Sequence, residues 1–323
     1  MKKTHKRPLH SGYRRAFGPT PVKLALLAAA ILAANLLLAQ SPPAPAPPSQ
    51  TPAAPGKPPI QTKTKEEYQA YQIAIANSLN PPAMEKAADD FAAKFPASDV
   101  RLLLYRTAMS GYQSIGESQK MMDMGMKVLS IDKDDPEALI GVAEVLEEQT
   151  SPTDLDRRPR EQEVLDYANH ALRSVDTDLS VPSGTAPEKV ESYRKYLRST
   201  ALAIVGTIYY KEENYPEAEA KLRAAVDADP AKLDAVVVLR LALALDQEKK
   251  YDAALSEATR AVGLTKAESE IGRMARNERD HLLSRTGPVL VPVAPAVEPK
   301  SSGPAPPPSP HGATPETGAS PPH

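Results

Sequence analysis

LAIVGTIYYKEENYPEAEAKLRAAVDADP, residues 202–230, is the stretch that decides the fold. Leu202, Val205, Gly206 and Tyr209 recur at the spacing of one helix face, and Ala218, Leu222 and Ala225 form a second apolar stripe on an otherwise charged segment. Two helices packed at close range need small side chains where their axes approach, and Gly206 and Ala218 stand at those places. Asn214 and Tyr215 form the tight connection. Pro216 opens the second helix, where its missing N–H is not needed, and Pro230 punctuates the exit.

The pattern recurs on both sides. Downstream, Val238, Leu241, Ala242 and Leu245 are answered across KKY by Tyr251, Ala254, Ala258 and Ala261. Upstream, Tyr105, Ala108, Met109 and Tyr112 precede the turn SIGES, and Met121, Gly125 and Val128 mark the second helix. Leu139, Val142, Ala143 and Leu146 start another unit, whose second helix, from about Glu161 to Val175, keeps Val164, Ala168 and Ala171 after a swollen turn, TSPTDLDRRPR. A degenerate first unit over 64–96 sets Tyr68, Tyr71 and Ile75 against Ala87, Phe91 and Phe95 across Asn80-Pro81-Pro82. After the last unit, Ile271, Met274, Ala275 and Leu282 form the stripe of a charged helix that would cap an open solenoid end. No segment reads as a strand, since VLVPVAPAV (289–297) is interrupted by Pro292 and Pro295.

The recurring unit, clearest over 202–230, resembles the tetratricopeptide repeat. The resemblance covers about 64–285 and implies an all-α fold: an αα-hairpin solenoid, a right-handed superhelix whose first helices line a concave groove. Projected on that groove, one turn from the core positions, are Arg106, Ser110 and Gln113; Ile140, Glu144 and Glu147; Ala203, Thr207, Tyr210 and Lys211; and Leu239, Arg240 and Leu243. This mixture of acids, cations and apolar side chains suits an extended peptide or a partner helix. The lysine and asparagine set with which the family clamps a C-terminal carboxylate is absent.

The arms read differently from the body. Lys2, Lys3, Lys6, Arg7, Arg14, Arg15 and Lys23 precede an apolar run over 24–39, opened by Leu24 and closed by Ala39 and broken only by Asn35. Residues 1–39 therefore read as a secretory signal, cleaved after Ala39, or as a retained N-terminal membrane anchor. Either places the body outside the cytoplasm, periplasmic, secreted or tethered to the inner membrane, because the cationic flank stays inside. Tyr13-Arg14-Arg15-Ala16-Phe17 resembles a twin-arginine export motif, with Gly18-Pro19 departing from it. Residues 40–63 form a proline-rich linker, in which PPAPAPPSQTPAAPGKPP (42–59) is expected to be an extended spacer reaching about 50 Å. Residues 286–323 form a proline-rich tail, too poor in large apolar side chains to fold.

Composition narrows the chemistry. The 323 residues contain 34 prolines, three Phe, no Trp and no Cys, so thiolate metal sites, disulfides and a cysteine nucleophile are excluded. A net charge of −2 supplies no field for nucleic acid. GYQSIGES (111–118) has the glycine spacing of a phosphate loop, but Glu117 occupies the lysine position and the segment follows a helix, so Gly116 is read as a turn. Met121, Met122, Met124 and Met126 point in several directions on a helix and fill gaps between repeats. His170 and His281 have no second ligand at helical spacing, and Glu147-Glu148 and Asp134-Asp135 read as solvated helix ends. No catalytic residue, cofactor or metal is expected. The leading expectation is a non-enzymatic scaffold binding a protein or peptide. The alternatives are an assembly or structural factor of cell-wall or outer-membrane machinery, and an unrecognised hydrolase or Met-based metal carrier.

Overall fold

The computed structural model describes residues 56–151 and 153–286. The expected signal or anchor, the first part of the proline-rich linker and the tail from 287 lie outside the described residues. Among the described residues there are eleven helices and no strand. They are α1 Lys65–Ile75, α2 Pro81–Lys94, α3 Val100–Ser114, α4 Ser118–Ile131, α5 Pro136–Gln149, α6 Arg157–Ser174, α7 Pro187–Lys211, α8 Tyr215–Ala228, α9 Ala235–Gln247, α10 Tyr251–Gly263 and α11 Glu270–Thr286.

Each helix packs on its neighbours in sequence, and the first helices of successive hairpins, α1, α3, α5, α7 and α9, also touch one another in order. This connectivity is that of a hairpin solenoid. The helix starts follow local chemistry. Asn80 and Asp135 accept hydrogen bonds from the backbone N–H groups of Ala83 and Ala138, with Pro81 and Pro136 at the first helical position, and Asp234 accepts from Val236. The predicted stripes are the core: Ala218, Leu222, Ala225, Ala254, Ala258 and Ala261 are fully buried, as are Val164, Ala168 and Ala171. Met121 and Met124 are buried and pack as expected, whereas Met126 is exposed and fills no gap between repeats. On the most degenerate hairpin Tyr68 is exposed. At the other end α11 covers α9 and α10 with Met274, Ala275 and Leu282.

One turn geometry recurs between first and second helices. Gly116, Glu213 and Lys249 all have left-handed backbone, at φ 75°, 64° and 63°. In each case the next residue donates its N–H back to a carbonyl five residues earlier: Glu117 to Tyr112, Asn214 to Tyr209 and Lys250 to Leu245. The left-handed residue itself donates to the carbonyl three residues earlier, Gly116 to Gln113, Glu213 to Tyr210 and Lys249 to Asp246, and this double closure is the Schellman arrangement, for which glycine is the unstrained choice. Only the first of the three hairpins has it. Lys249→Gly is therefore expected to stabilise the chain slightly, by about 0.5 kcal/mol, since relief of about 1–2 kcal/mol of left-handed strain exceeds the added unfolded-state entropy. A rise in thermal midpoint checks this, and a fall would mean that the lysine side chain holds the turn.

Two features extend beyond the repeat pattern. Helix α7 runs 25 residues, so about its first four turns project ahead of the signature that opens at Leu202. Tyr193, Leu197 and Ala201 continue its buried stripe at four-residue spacing. The chain between α6 and α7 pairs with the end of the proline-rich segment. The Ile60 N–H donates to the Val181 carbonyl at 2.8 Å, the Ser183 N–H donates to the Ile60 carbonyl at 2.9 Å, and Ile60 is buried. Lys57 Nζ joins Asp132 at 2.7 Å and Asp178 at 3.2 Å. Residues 57–60, expected to belong to a free-standing linker, thus lie against the body. An apolar side chain and a cation spaced to meet the α4–α5 loop and the α6–α7 connector hold them there.

Candidate functional site

The first helices α3, α5, α7 and α9, with the α8–α9 loop, surround a cavity of about 190 Å³ open on one side. Gln113, Glu144, Glu147, Thr207 and Arg240, all projected on the groove by spacing, line it together with Ala203. Gln113 Nε2 donates to Glu144 at 2.9 Å, Arg240 donates to the Thr207 hydroxyl at 2.5 Å, and Lys211 Nζ meets Glu147 at 2.5 Å. Burial raises the Glu144 carboxyl to about 8, reinforced by Glu147 and Asp234, while Gln113 opposes the shift. Desolvation also lowers the Arg240 guanidinium against the attraction of Glu147 and Asp234. Tyr196, Asp229, Lys232 and Asp234, which spacing alone did not indicate, complete the polar lining. Asp229 and Asp234 were hidden because they lie in the loop after α8, outside the repeat register.

Other projected residues fall elsewhere. Ile140, Leu239 and Leu243 have no exposed surface and belong to the packed core. For α9 the reason is legible afterwards: from Ala235 to Leu245 every residue except Arg240 is apolar, and a helix apolar all round is covered all round. Ile140 shares its cluster with Tyr193 and Leu197 of the α7 extension. Tyr210 packs edge-on against Tyr215, with ring centres 5.7 Å apart, and burial raises its phenol. The hydroxyl of Ser110 is buried.

Arg106 shows the largest departure from expectation. It is buried on α3, where it pairs with Asp135, sits 3.8 Å from Glu137 and donates to the Ser180 carbonyl at 2.6 Å. Asp135, read from sequence as a solvated helix end, is fully buried because it caps α5 and neutralises Arg106 at once. Glu147 is likewise nearly buried, facing the cavity. At this end the α6–α7 connector covers Arg106 through the Ser180 carbonyl.

Paired helices stacked in chain order, with first helices in mutual contact and the same turn closing three hairpins, settle the architecture. It is tetratricopeptide-like. No family model matches the chain, and no curated protein matches it. Among solved structures, similarity is found to a thermophilic tetratricopeptide repeat protein of Thermus thermophilus, at 12% identity and a TM-score of 0.42, over 68% of this chain and 99% of that one. A tetratricopeptide repeat protein from Parabacteroides merdae is similar at 14% identity and a TM-score of 0.34, over 68% of this chain and 87% of its own.

Proposed function

We propose that this chain is a protein-interaction scaffold working outside the cytoplasm, and that the groove between α3, α5, α7 and α9 receives an extended segment or helix of its partner. The observation that carries the reading is the open cavity along the first helices, where apolar walls and convergent polar groups lie side by side. Its volume, about 190 Å³, is below the roughly 300–1,000 Å³ of small-molecule sites, which favours side chains of a longer ligand over a cofactor. The cationic flank and the apolar run over 24–39 support export.

Photo-crosslinking in the cells that make the protein tests the groove. Benzoylphenylalanine placed at exposed Glu148, on the cavity rim, is expected to give discrete protein adducts that the same group at exposed Ala220 on α8 does not. Equal labelling from both positions, or none from Glu148, would remove the groove assignment. A full-length fusion to alkaline phosphatase, active only after export, tests location, and an inactive fusion would contradict it.

A further inference from the structure

We propose that the cavity holds the cationic side chain of a lysine or arginine on the partner polypeptide, so that the groove selects segments carrying a basic residue at one fixed place. This rests on the groove reading above. Five carboxylates line the cavity, from Glu144, Glu147, Glu148, Asp229 and Asp234, against two cations, Lys232 and Arg240. The nearby cations are already engaged: Arg240 donates to Thr207, Lys232 reaches the Ser192 hydroxyl at 3.1 Å, and Lys211 is held by Glu147.

The second observation concerns carboxylate oxygens that no protein donor reaches. Asp229 is only 6% exposed and lines the cavity, yet its Oδ2 is buried without a hydrogen-bond partner. Glu144 Oε1 is likewise buried without one, on a carboxyl that Gln113 holds by the other oxygen. A buried carboxylate without a partner is costly, and a cation bearing several N–H donors is the group that relieves it. Between the acids lie Ala203, Ile204, Val236 and Val237, an apolar wall for the methylene stem of a long basic side chain. An acidic or purely apolar anchor would leave the carboxylates worse off. A lysine or arginine satisfies both surfaces.

Proton linkage follows from the same geometry. Facing Glu144 are Glu147 and Glu148 on its own helix, neutral Gln113 from α3, Tyr196 from α7, and Arg240 with Asp234 from α9 and its cap, while Lys211 is paired to Glu147. With its carboxyl raised to about 8, Glu144 holds a proton at neutral pH in the free protein. An arriving cation favours the ionised form and expels that proton. Affinity is therefore expected to rise with pH up to about 8 and then level off, well below the range in which lysine itself loses charge.

The test begins with selection of phage-displayed random dodecapeptides on the full-length chain at about pH 8. Enriched sequences are expected to share Lys or Arg at one position. A synthetic peptide of enriched sequence should lose about tenfold in affinity when that residue becomes norleucine, and a similar factor against protein carrying Glu144→Gln with Asp229→Asn. The norleucine exchange leaves the protein untouched, so it remains decisive if the variant folds poorly. Glu144→Gln alone should flatten the pH dependence. Groove-binding peptides without a fixed basic residue would overturn the cation assignment and leave the scaffold reading standing, whereas no enrichment at all would remove both. Cadaverine binding as tightly as the peptide would mark a site for free amines and overturn the polypeptide assignment.

Discussion

Arg106→Met is expected to destabilise the folded chain by about 3–5 kcal/mol, because it leaves the Asp135 and Glu137 carboxylates buried without their guanidinium. It also removes the donor to the Ser180 carbonyl, so the α6–α7 connector should loosen in the same variant. Methionine keeps much of the side-chain length, so the deficit reports lost charge and hydrogen bonds more than a cavity. Burial raises the Glu137 carboxyl even with Arg106 in place, and removing the cation raises it further. A carboxyl whose folded pKa exceeds its unfolded one lowers stability as pH rises between the two values. The deficit should therefore be widest at neutral pH and narrow as the carboxylates protonate in acid, which urea unfolding at two pH values would show. Adding Asp135→Asn and Glu137→Gln should restore most of the loss, because the asparagine still caps α5 and no net charge is left inside. A deficit independent of pH and unrepaired by those changes would mean that Arg106 acts through packing alone.

The same residue marks where reading from sequence succeeds and where it stops. Core stripes were legible because helix pairing imposes a period on them: Ala218, Leu222 and Ala225 are buried where the spacing put them. The groove face obeys no such period, since what covers a first helix on that side comes from elsewhere in the chain. Arg106 and Ile140 are covered by the α6–α7 connector and the extension of α7. Both lie between the repeats, outside their register. Lys57 and Ile60 escaped for the same reason: one cation and one apolar residue in a proline-rich run carry no local signal, and their partners are far along the sequence. By contrast, Gln113, Glu144, Glu147, Thr207 and Arg240 line the cavity where spacing projected them, and there the extension of α7 adds Tyr196, Ser199 and Thr200 to the wall without filling the space between the first helices.

Gly206→Val is expected to cost about 3 kcal/mol, at the upper end of what overpacking a helix contact usually costs. A Cβ on residue 206 would stand 2.7 Å from Cγ of Leu222 and 3.1 Å from its backbone nitrogen. The leucine tip can turn aside, but the backbone nitrogen moves only if α7 and α8 separate, which disturbs the whole contact of the hairpin. Gly206→Ala brings the same Cβ with a helix-propensity gain of about 1 kcal/mol, so its net loss should be smaller although the clash is similar. Leu222→Ala alone should cost about 2–5 kcal/mol, as Leu222 is fully buried. Combining it with Gly206→Ala should then cost less than the sum, because the new methyl enters the space that the leucine vacates. In a solenoid whose repeats contact only their neighbours, hydrogen exchange should show faster opening in α7 and α8 first, with α2 and α3 little changed. Additive losses in that cycle would indicate that Gly206 does not set the approach of the two helices, and uniform loss of protection would indicate that the array unfolds as one unit.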